Sequence, residues 1–585
     1  MGNHSRVAPE KRFFRPFALL GNLFLDFVDR VGMGPADGDE PGGWCRVEPG
    51  GWVRRRRRRA KPLDRDRLVE RVLALATKRS ADARRAREAL RAFRAALGTR
   101  NEADRARAAS REPATALLAA ARITKRLASR REDLNAVERL LRAAASVTAD
   151  KNVSENEREA SSRRAANVEL GVLLCQEGRD TEAAALLTAM GFRYRLARGV
   201  LRYPSELGGV AVRETKAPIG ASAVGGETLN SRNVPVRAFD GAVSPGTLAR
   251  LRRVFAPDSA FWEEHGYHEE GCGFFSYAHD LTESPERFLS RSANASPSNL
   301  MEAVIARVRA VASLAFPAAA EATAAEWWAH SRPHAFGHQM HFDSDDEGLP
   351  ARSHAPSTNG ARRAVRHPIC SAVVFVNGGI GGPTLVTDQR DDAKRLARNG
   401  WLVAPVSGRI AVFDGECLHG VVPGRGVVSS RSESNESDAR RDDDDEERAL
   451  VEPRRVTLMV AFWKNVEIRG TRTRAMSGSG TKAVGSFPRG SARPFPDPLA
   501  FLENDPSAPS NGVSWPRAFA VDDAFLEETR KQTSSVAAAA AKEVPAVPAA
   551  AVWEDVDAER NASCFPSLSV TALRSLPAYD ACFMF

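Results

Sequence analysis

The sequence predicts an α+β chain of more than one domain, a helical region followed by a domain made mainly of β-strands. Three observations lead there. The chain has 585 residues, more than one hydrophobic core usually serves. Residues 64 to 145 are rich in Ala, Arg, Leu and Glu and poor in Gly and Pro, a composition that favours helix. From about 234 onward, short apolar runs alternate with Gly and Pro, which reads as an all-β sandwich or barrel.

The first segment, 1 to 63, is basic and reads as largely disordered. Its apolar stretch FFRPFALLGNLFLDFVDRVG (13 to 32) carries Arg15, Asp26 and Asp29, so no membrane span is expected. The first 35 residues are basic and amphipathic, which also suits an organelle transit peptide. Positions 54 to 59 are six consecutive arginines, a block that repels itself and stays solvated as a linker. Its functional counterpart is a nuclear-import or polyanion-binding patch. The formal net charge of +10 lies mostly in the Arg-rich first third without interleaved aromatics, which argues against nucleic acid as a partner. Seven cysteines with no CxxC pair fit a reducing intracellular compartment, cytoplasmic or nuclear.

The helical region is expected over 64 to 200. Leu68, Val72 and Leu75, then Leu90, Phe93 and Leu97, recur at helical spacing. Further on, RAANVELGVLLCQEGRDTEAAALLTAMGF (164 to 192) places Leu170, Gly171, Leu174, Gly178, Ala183 and Leu187 where a tetratricopeptide hairpin has its packing residues. It resembles one such repeat, near 164 to 195. A single repeat cannot bury its own face, so it must pack on something else.

The strand-rich domain is expected over 234 to 470. Its strand candidates are VPVRAF (234 to 239), AEWWAHSR (325 to 332), SAVVFVNG (371 to 378), PTLVTD (383 to 388), WLVAPV (401 to 406), RIAVFDG (409 to 415) and RRVTLMVAFWKN (454 to 465). Two helices, SPGTLARLRRVF and SPSNLMEAVIARVRAVASLAF, each begin at a serine suited to capping. An acidic, Ser-rich insertion at 426 to 452 is too polar to bury and reads as a disordered loop. The tail, 471 to 585, is rich in Ser, Pro, Ala and Gly and is expected to be largely disordered; SFPRGSARPFPDPLAFLEND and the final LPAYDACFMF are the pieces suited to docking.

The chemistry centres on HAFGHQMHFDSDDEGLP (334 to 350). His341-Phe342-Asp343 is the one His-x-Asp in the chain. In a strand, residues two apart project to the same face, so this pair can grip one ion. A third ligand from a distant strand points to His419, the one histidine beyond 367. Two imidazoles and a carboxylate on one side of an ion leave positions free for oxygen chemistry. On the next strand Arg455, Thr457, Met459 and Ala461 alternate onto one face. Arg455, with Thr457, is therefore placed to meet a carboxylate, since a guanidinium offers a planar double donor; Arg454 is the second choice.

The order HFD (341 to 343), GGPTLV (381 to 386), GRIAVFDGECLHGVVPG (408 to 424) and RRVTLMVAFW (454 to 463) resembles the Fe(II)- and 2-oxoglutarate-dependent dioxygenase superfamily, nearest its prolyl 4-hydroxylase-like branch. The resemblance spans roughly 235 to 470. It implies a double-stranded β-helix, or jelly roll, with Fe(II) held by His341, Asp343 and His419 and 2-oxoglutarate held by Arg455, with ascorbate as a reductant. It also implies a polypeptide substrate such as a prolyl side chain, which the helical region would present. The alternatives are a small-molecule oxygenase and an inactive β-barrel scaffold. One departure stands out: 36 positions separate His419 from Arg455, more than the family usually has, and the excess coincides with the acidic insertion.

Other residues have plainer readings. His334, His338 and His341 would cluster for zinc on a helix, but Gly337, the flanking β pattern and the lack of HExxH argue against that. His334 and His338 read as surface groups or as neighbours of the metal ligands. Asp345, Asp346 and Glu347 read as a solvated turn. Glu326, Trp328, His330 and Arg332 share one strand face, with Trp328 in the core and His330 or Arg332 near the cosubstrate. Cys417 reads as a small packing residue.

Overall fold

The computed structural model describes residues 113–128, 131–146, 157–204, 234–257, 299–344, 366–391, 396–426, 454–464, 519–522 and 541–556, apart from a few single positions. It also describes short pieces at 44–47, 51–54, 261–262, 276–281, 492–494, 524–525, 579–580 and 582–584 and single positions 72, 207, 259, 393 and 466. The Arg block beyond 54, the helical expectation over 64 to 112 apart from Val72, Asp345 to Glu347 and the insertion from 427 to 453 lie outside the described residues.

In chain order, β1 (Trp44–Val47) and β2 (Gly51–Arg54) form an antiparallel hairpin. Four helices follow, α1 (Ala114–Arg126), α2 (Arg131–Ser146), α3 (Glu157–Gln176) and α4 (Asp180–Ala189), then β3 (Tyr194–Leu196). Helix α2 shows why they pack: Leu134, Val137, Leu141 and Ala144 recur at three- and four-residue intervals and are buried. The strand-rich part begins with β4 (Val236–Asp240), α5 (Pro245–Val254), β5 (Ser276–Asp280) and α6 (Leu300–Ala315). It continues through β6 (Ala324–Pro333), β7 (His338–His341), β8 (Cys370–Phe375), β9 (Thr384–Arg390) and β10 (Gly400–Val403). Three more strands, β11 (Ile410–Asp414), β12 (Cys417–Val421) and β13 (Arg454–Trp463), complete it.

Ser244 caps α5 as expected, its Oγ accepting the Thr247 N–H at 3.1 Å. For α6 the expected serine is replaced by Asn299, whose Oδ1 accepts the Glu302 N–H at 3.0 Å. Asparagine caps as well as serine and stands directly before the first buried apolar residue, Leu300.

The strands form two facing sheets that are antiparallel apart from one parallel edge pairing. The larger runs β5-β6-β13-β8-β11-β4 and the smaller β10-β9-β12-β7, each extended at its edges by strands from the C-terminal part. From β6 to β13 the chain passes back and forth between them: β6, β8, β11 and β13 belong to the larger, and β7, β9, β10 and β12 to the smaller. Period-two alternation sorts the side chains. Val373, Phe375, Phe413, Met459 and Ala461 of the larger sheet meet Val386, Trp401, Val403 and Cys417 of the smaller in a shared inner core. On β13 the alternate residues Val456, Leu458, Val460 and Phe462 face α5, α6 and an aromatic cluster around Trp327 and Phe255. On the smaller sheet, Met340, Leu385, Leu402 and Leu418 point outward into a core shared with α1 to α4. The helical layer thus buries its apolar face on the back of the smaller sheet.

The described pieces of the tail dock on the sheets and on the helical layer. Phe519 is fully buried against Phe255 and Trp327. Strand β14 (Ala492–Pro494) joins β5 in parallel, and β15 (Lys542–Val544) caps the far edge of the larger sheet on β4. Strand β16 (Val547–Ala549) caps the smaller sheet on β10. Strands β17 (Trp553–Asp555), β18 (Tyr579–Asp580) and β19 (Phe583–Met584) build a small sheet around β3 in the helical layer. The tail satisfies backbone groups that exposed edges would leave unpaired. Pro548 falls on such an edge, where a missing N–H is tolerated. Among the described residues no helix is long and apolar enough to cross a membrane.

Phe583 is fully buried, packing on Phe192 with ring centroids 5.4 Å apart. Phe583→Ala is expected to cost about 3–5 kcal/mol, read as a fall in the urea midpoint with the denaturant slope unchanged.

Candidate metal centre and anion pocket

Strands β7 and β12 pair with His341 directly opposite His419, and their rings are 4.4 Å apart. Cys417 and His419 alternate with the outward Leu418, so the imidazole enters the space between the sheets. Asp343 stands just beyond β7. Its Oδ1 lies 3.7 Å from His341 Nε2 and 3.8 Å from His419 Nε2. The three groups can each offer one ligand atom, all within 4.8 Å of one another.

The surrounding bonds orient these atoms. His341 Nδ1–H donates to the Gln339 carbonyl at 2.9 Å and His419 Nδ1–H to the Cys417 carbonyl at 3.1 Å. Both tautomers therefore present an Nε2 lone pair to the centre. Ser371 Oγ donates to Asp343 Oδ2 at 2.6 Å, which leaves Oδ1 for the centre. His367 Nδ1–H holds the Asp343 carbonyl at 2.7 Å. His419 Nε2 is buried and has no hydrogen-bond partner among the described residues, an arrangement that costs about 1–3 kcal/mol unless something fills it. Desolvation, followed by the neighbouring His419, lowers the His341 pKa, while 31% of its side chain stays exposed. Two imidazoles that turn Nε2 toward a carboxylate suit a divalent cation.

Arg455 is buried on the inward face of β13. It donates to the Gly382 carbonyl at 2.7 Å and to Thr384 Oγ1 at 2.9 Å, and its guanidinium lies 5.1 Å from the Phe375 ring centre. Among the described residues no carboxylate pairs with it, and burial, then the charge of Arg332, brings its pKa down to about 9. The Gly-Gly-Pro-Thr stretch forms a strap over this side chain. Gly381 has φ +85°, and a Cβ there would meet Arg455 Cδ at 2.9 Å; a Cβ at Gly382 would meet the Val422 carbonyl at 2.1 Å. The hydroxyl that meets the fork is that of Thr384; Thr457 lies on the same inward face, in register with His330. Arg454 turns to the other face and holds Ser331 Oγ and the Ser331 carbonyl, both at 2.8 Å.

His334 is not a surface group. It is buried, its Nδ1 accepting the Gly381 N–H at 2.9 Å and its Nε2–H donating to the Arg425 carbonyl at 3.1 Å. His338 lies beside His341, rings stacked 4.6 Å apart. Glu326 is buried, accepting hydrogen bonds from Ser276 and from Trp463 Nε1. Sequence reasoning missed Ser371, His367 and Thr384. For Ser371 a signal existed: it is the polar residue at an inward position of a strand whose next inward residues are Val373 and Phe375. Ser371→Ala is expected to weaken binding of a divalent cation by about 10–100-fold, measured by competition with a chromophoric chelator.

No family model matches the chain, and no curated protein matches it. Among solved structures, a Pseudomonas putida prolyl-4-hydroxylase is 15% identical, and the match covers 40% of this chain and 89% of that one at a TM-score of 0.20. AviO1 from Streptomyces viridochromogenes Tue57 is 14% identical over 38% of this chain and 86% of that one, at a TM-score of 0.19. At such scores the functional reading rests on the chain's own side chains.

Proposed function

We propose that the chain is an Fe(II)- and 2-oxoglutarate-dependent hydroxylase built on a double-stranded β-helix of the two facing sheets. The observation that carries this is the convergence of His341 Nε2, Asp343 Oδ1 and His419 Nε2 with all three outer atoms engaged elsewhere. Such a face binds a ferrous ion on one side and leaves the other side for ligands. The chemistry a loaded site supplies is the coupled conversion of 2-oxoglutarate, O2 and a substrate C–H into succinate, CO2 and the hydroxylated product.

The chain's own residues supply position and electrostatics. Arg455, buried among neutral acceptors, binds the distal carboxylate of 2-oxoglutarate through its fork, with Thr457 next to it on the same face. Thr384 and the Gly382 carbonyl hold that fork still when the carboxylate arrives. Ser371 and His367 fix Asp343, and the Phe413 ring, 4.5 Å from that of His419, keeps the imidazole from swinging. Trp401, Val403 and Phe375 line the inner core and exclude water from the space between the sheets.

For the substrate we propose a polypeptide side chain such as proline, on the order of the sequence motifs. The helical layer lends this no support, since it packs on the back of the smaller sheet, away from the triad. A scaffold without catalysis is the competing class, but three converging ligand atoms with the buried His419 Nε2 left unpaired among the described residues are hard to explain in it.

The full-length protein is expected to bind one equivalent of iron and to release succinate from 2-oxoglutarate. His341→Ala and Asp343→Ala should abolish both, and retention of turnover by either would overturn the assignment. Arg455→Ala should raise the KM for 2-oxoglutarate by at least about 10-fold, the loss of a charge-assisted pair. Mass spectrometry of proteins incubated with the enzyme should show the gain of one oxygen.

A further inference from the structure

We propose that Arg332 is the second arm of the anion pocket, holding the distal carboxylate of the 2-oxo acid together with Arg455 and aimed there by His338. This rests on the oxygenase reading above.

The placement follows from register. Strands β6 and β13 pair with Arg332 directly opposite Arg455 and His330 opposite Thr457. Residues so paired share one face with Cβ atoms about 5 Å apart. That face is the inner one, because Trp328 of β6 and Met459 and Ala461 of β13, at the same parity, lie in the core between the sheets. Two guanidinium-bearing side chains, Arg455 buried and Arg332 half-buried, thus stand side by side, where like charges directly opposite destabilise a sheet. An anion between them reverses the sign of that interaction. A carboxylate suits the position, since its two oxygens offer about four lone-pair directions and can accept from two forks at once.

His338 gives Arg332 its direction. Arg332 Nη2 lies 2.9 Å from His338 Nδ1. A guanidinium only donates, so Nδ1 accepts and His338 is neutral with its proton on Nε2. The bonding partners of the Arg455 fork, the Gly382 carbonyl and Thr384 Oγ1, are both uncharged. Stacking of His338 on His341 joins this end of the cavity to the metal ligands. The spacing along the strands agrees: Val421 of β12 pairs with both His338 and Thr384, two residues beyond His419, about 7 Å along a strand.

The test is calorimetric titration of the full-length, Mn(II)-loaded protein with 2-oxoglutarate and with 2-oxovalerate, which has the same carbon chain and lacks the distal carboxylate. Wild type is expected to prefer 2-oxoglutarate. Arg332→Gln should lose roughly 10- to 100-fold in affinity for 2-oxoglutarate, the scale of a lost charge-assisted hydrogen bond, with 2-oxovalerate unchanged. Arg332→Lys, which keeps the charge and loses the fork, should show a smaller loss confined to 2-oxoglutarate, and it carries the test if the Gln variant does not fold. An unchanged preference in the variants, or an equal loss for both ligands as a merely structural role would give, overturns the proposal. Failure of the wild type to bind 2-oxoglutarate would instead overturn the oxygenase reading, and this inference with it.

Discussion

The register that sets His419 opposite His341 is the constraint on which the rest depends. Side chains on a strand alternate with period two, so a slip of one residue between β7 and β12 would turn one imidazole out of the cleft. Two features hold the register. Met340 and Leu418 point the other way, into the core shared with the helices, so the inward position of each histidine is tied to burial of its neighbour. Gly420 supplies the second, since a Cβ there would meet Met340 Sδ at 2.8 Å and the His338 carbonyl at 3.0 Å. The two strands approach at that point more closely than any side chain would permit.

This gives the helical layer a physical role in a site it does not touch. Its apolar face covers the back of the smaller sheet, and its polar groups reach the segment that follows His419. Gln176 Nε2 donates to the Pro423 carbonyl at 3.0 Å, and the Arg425 N–H donates to the Tyr203 hydroxyl at 3.0 Å. The Arg425 carbonyl in turn accepts from His334, whose other ring nitrogen accepts the Gly381 N–H of the strap over Arg455. A continuous set of hydrogen bonds therefore runs from the end of the helical layer to the strap over Arg455. Buried networks of this kind act as units, because each member left unpaired bears the full desolvation cost.

Strands β6, β8, β9, β10, β11 and β13 were legible as short apolar runs between Gly and Pro breaks, while β7 and β12 were not among the strand candidates; the triad was legible because so few histidines lie beyond 367. The inward parity of Arg455 could be counted from RRVTLMVAFW alone. The tail was legible only in its two docking pieces, which contain β14, β18 and β19; KEVPAVPAAAVWED has strands of three residues split by proline, and three residues hold too little pattern to show a period. What orders it is the open edges of β4 and β10, which are set by residues hundreds of positions away. Thr384 was passed over for Thr457 because strand parity shows which residues share a face, while the Gly-Gly strap that brings Thr384 to the guanidinium is a tertiary approach. His338 does neighbour a metal ligand, one of the two readings given for it; the buried position of His334 was not legible for a related reason, since Gly337 and the bulge in β7 break the alternation from which its direction would be read.

The long interval between His419 and Arg455 bears on the same question. An insertion threatens a site only if it loosens the residues on either side, and here both ends are fastened independently. On the near side, Arg425 is bound to Tyr203 and to His334. On the far side, Arg454 donates twice to Ser331, and β13 runs from there as a buried central strand between β6 and β8. The closure entropy of a flexible connection grows only with the logarithm of its length, about 0.6 kcal/mol for each doubling. Against a strand buried on both faces that term is small, so the positions of His419 and Arg455 are set by the sheets, and the length of the segment joining them is free to vary.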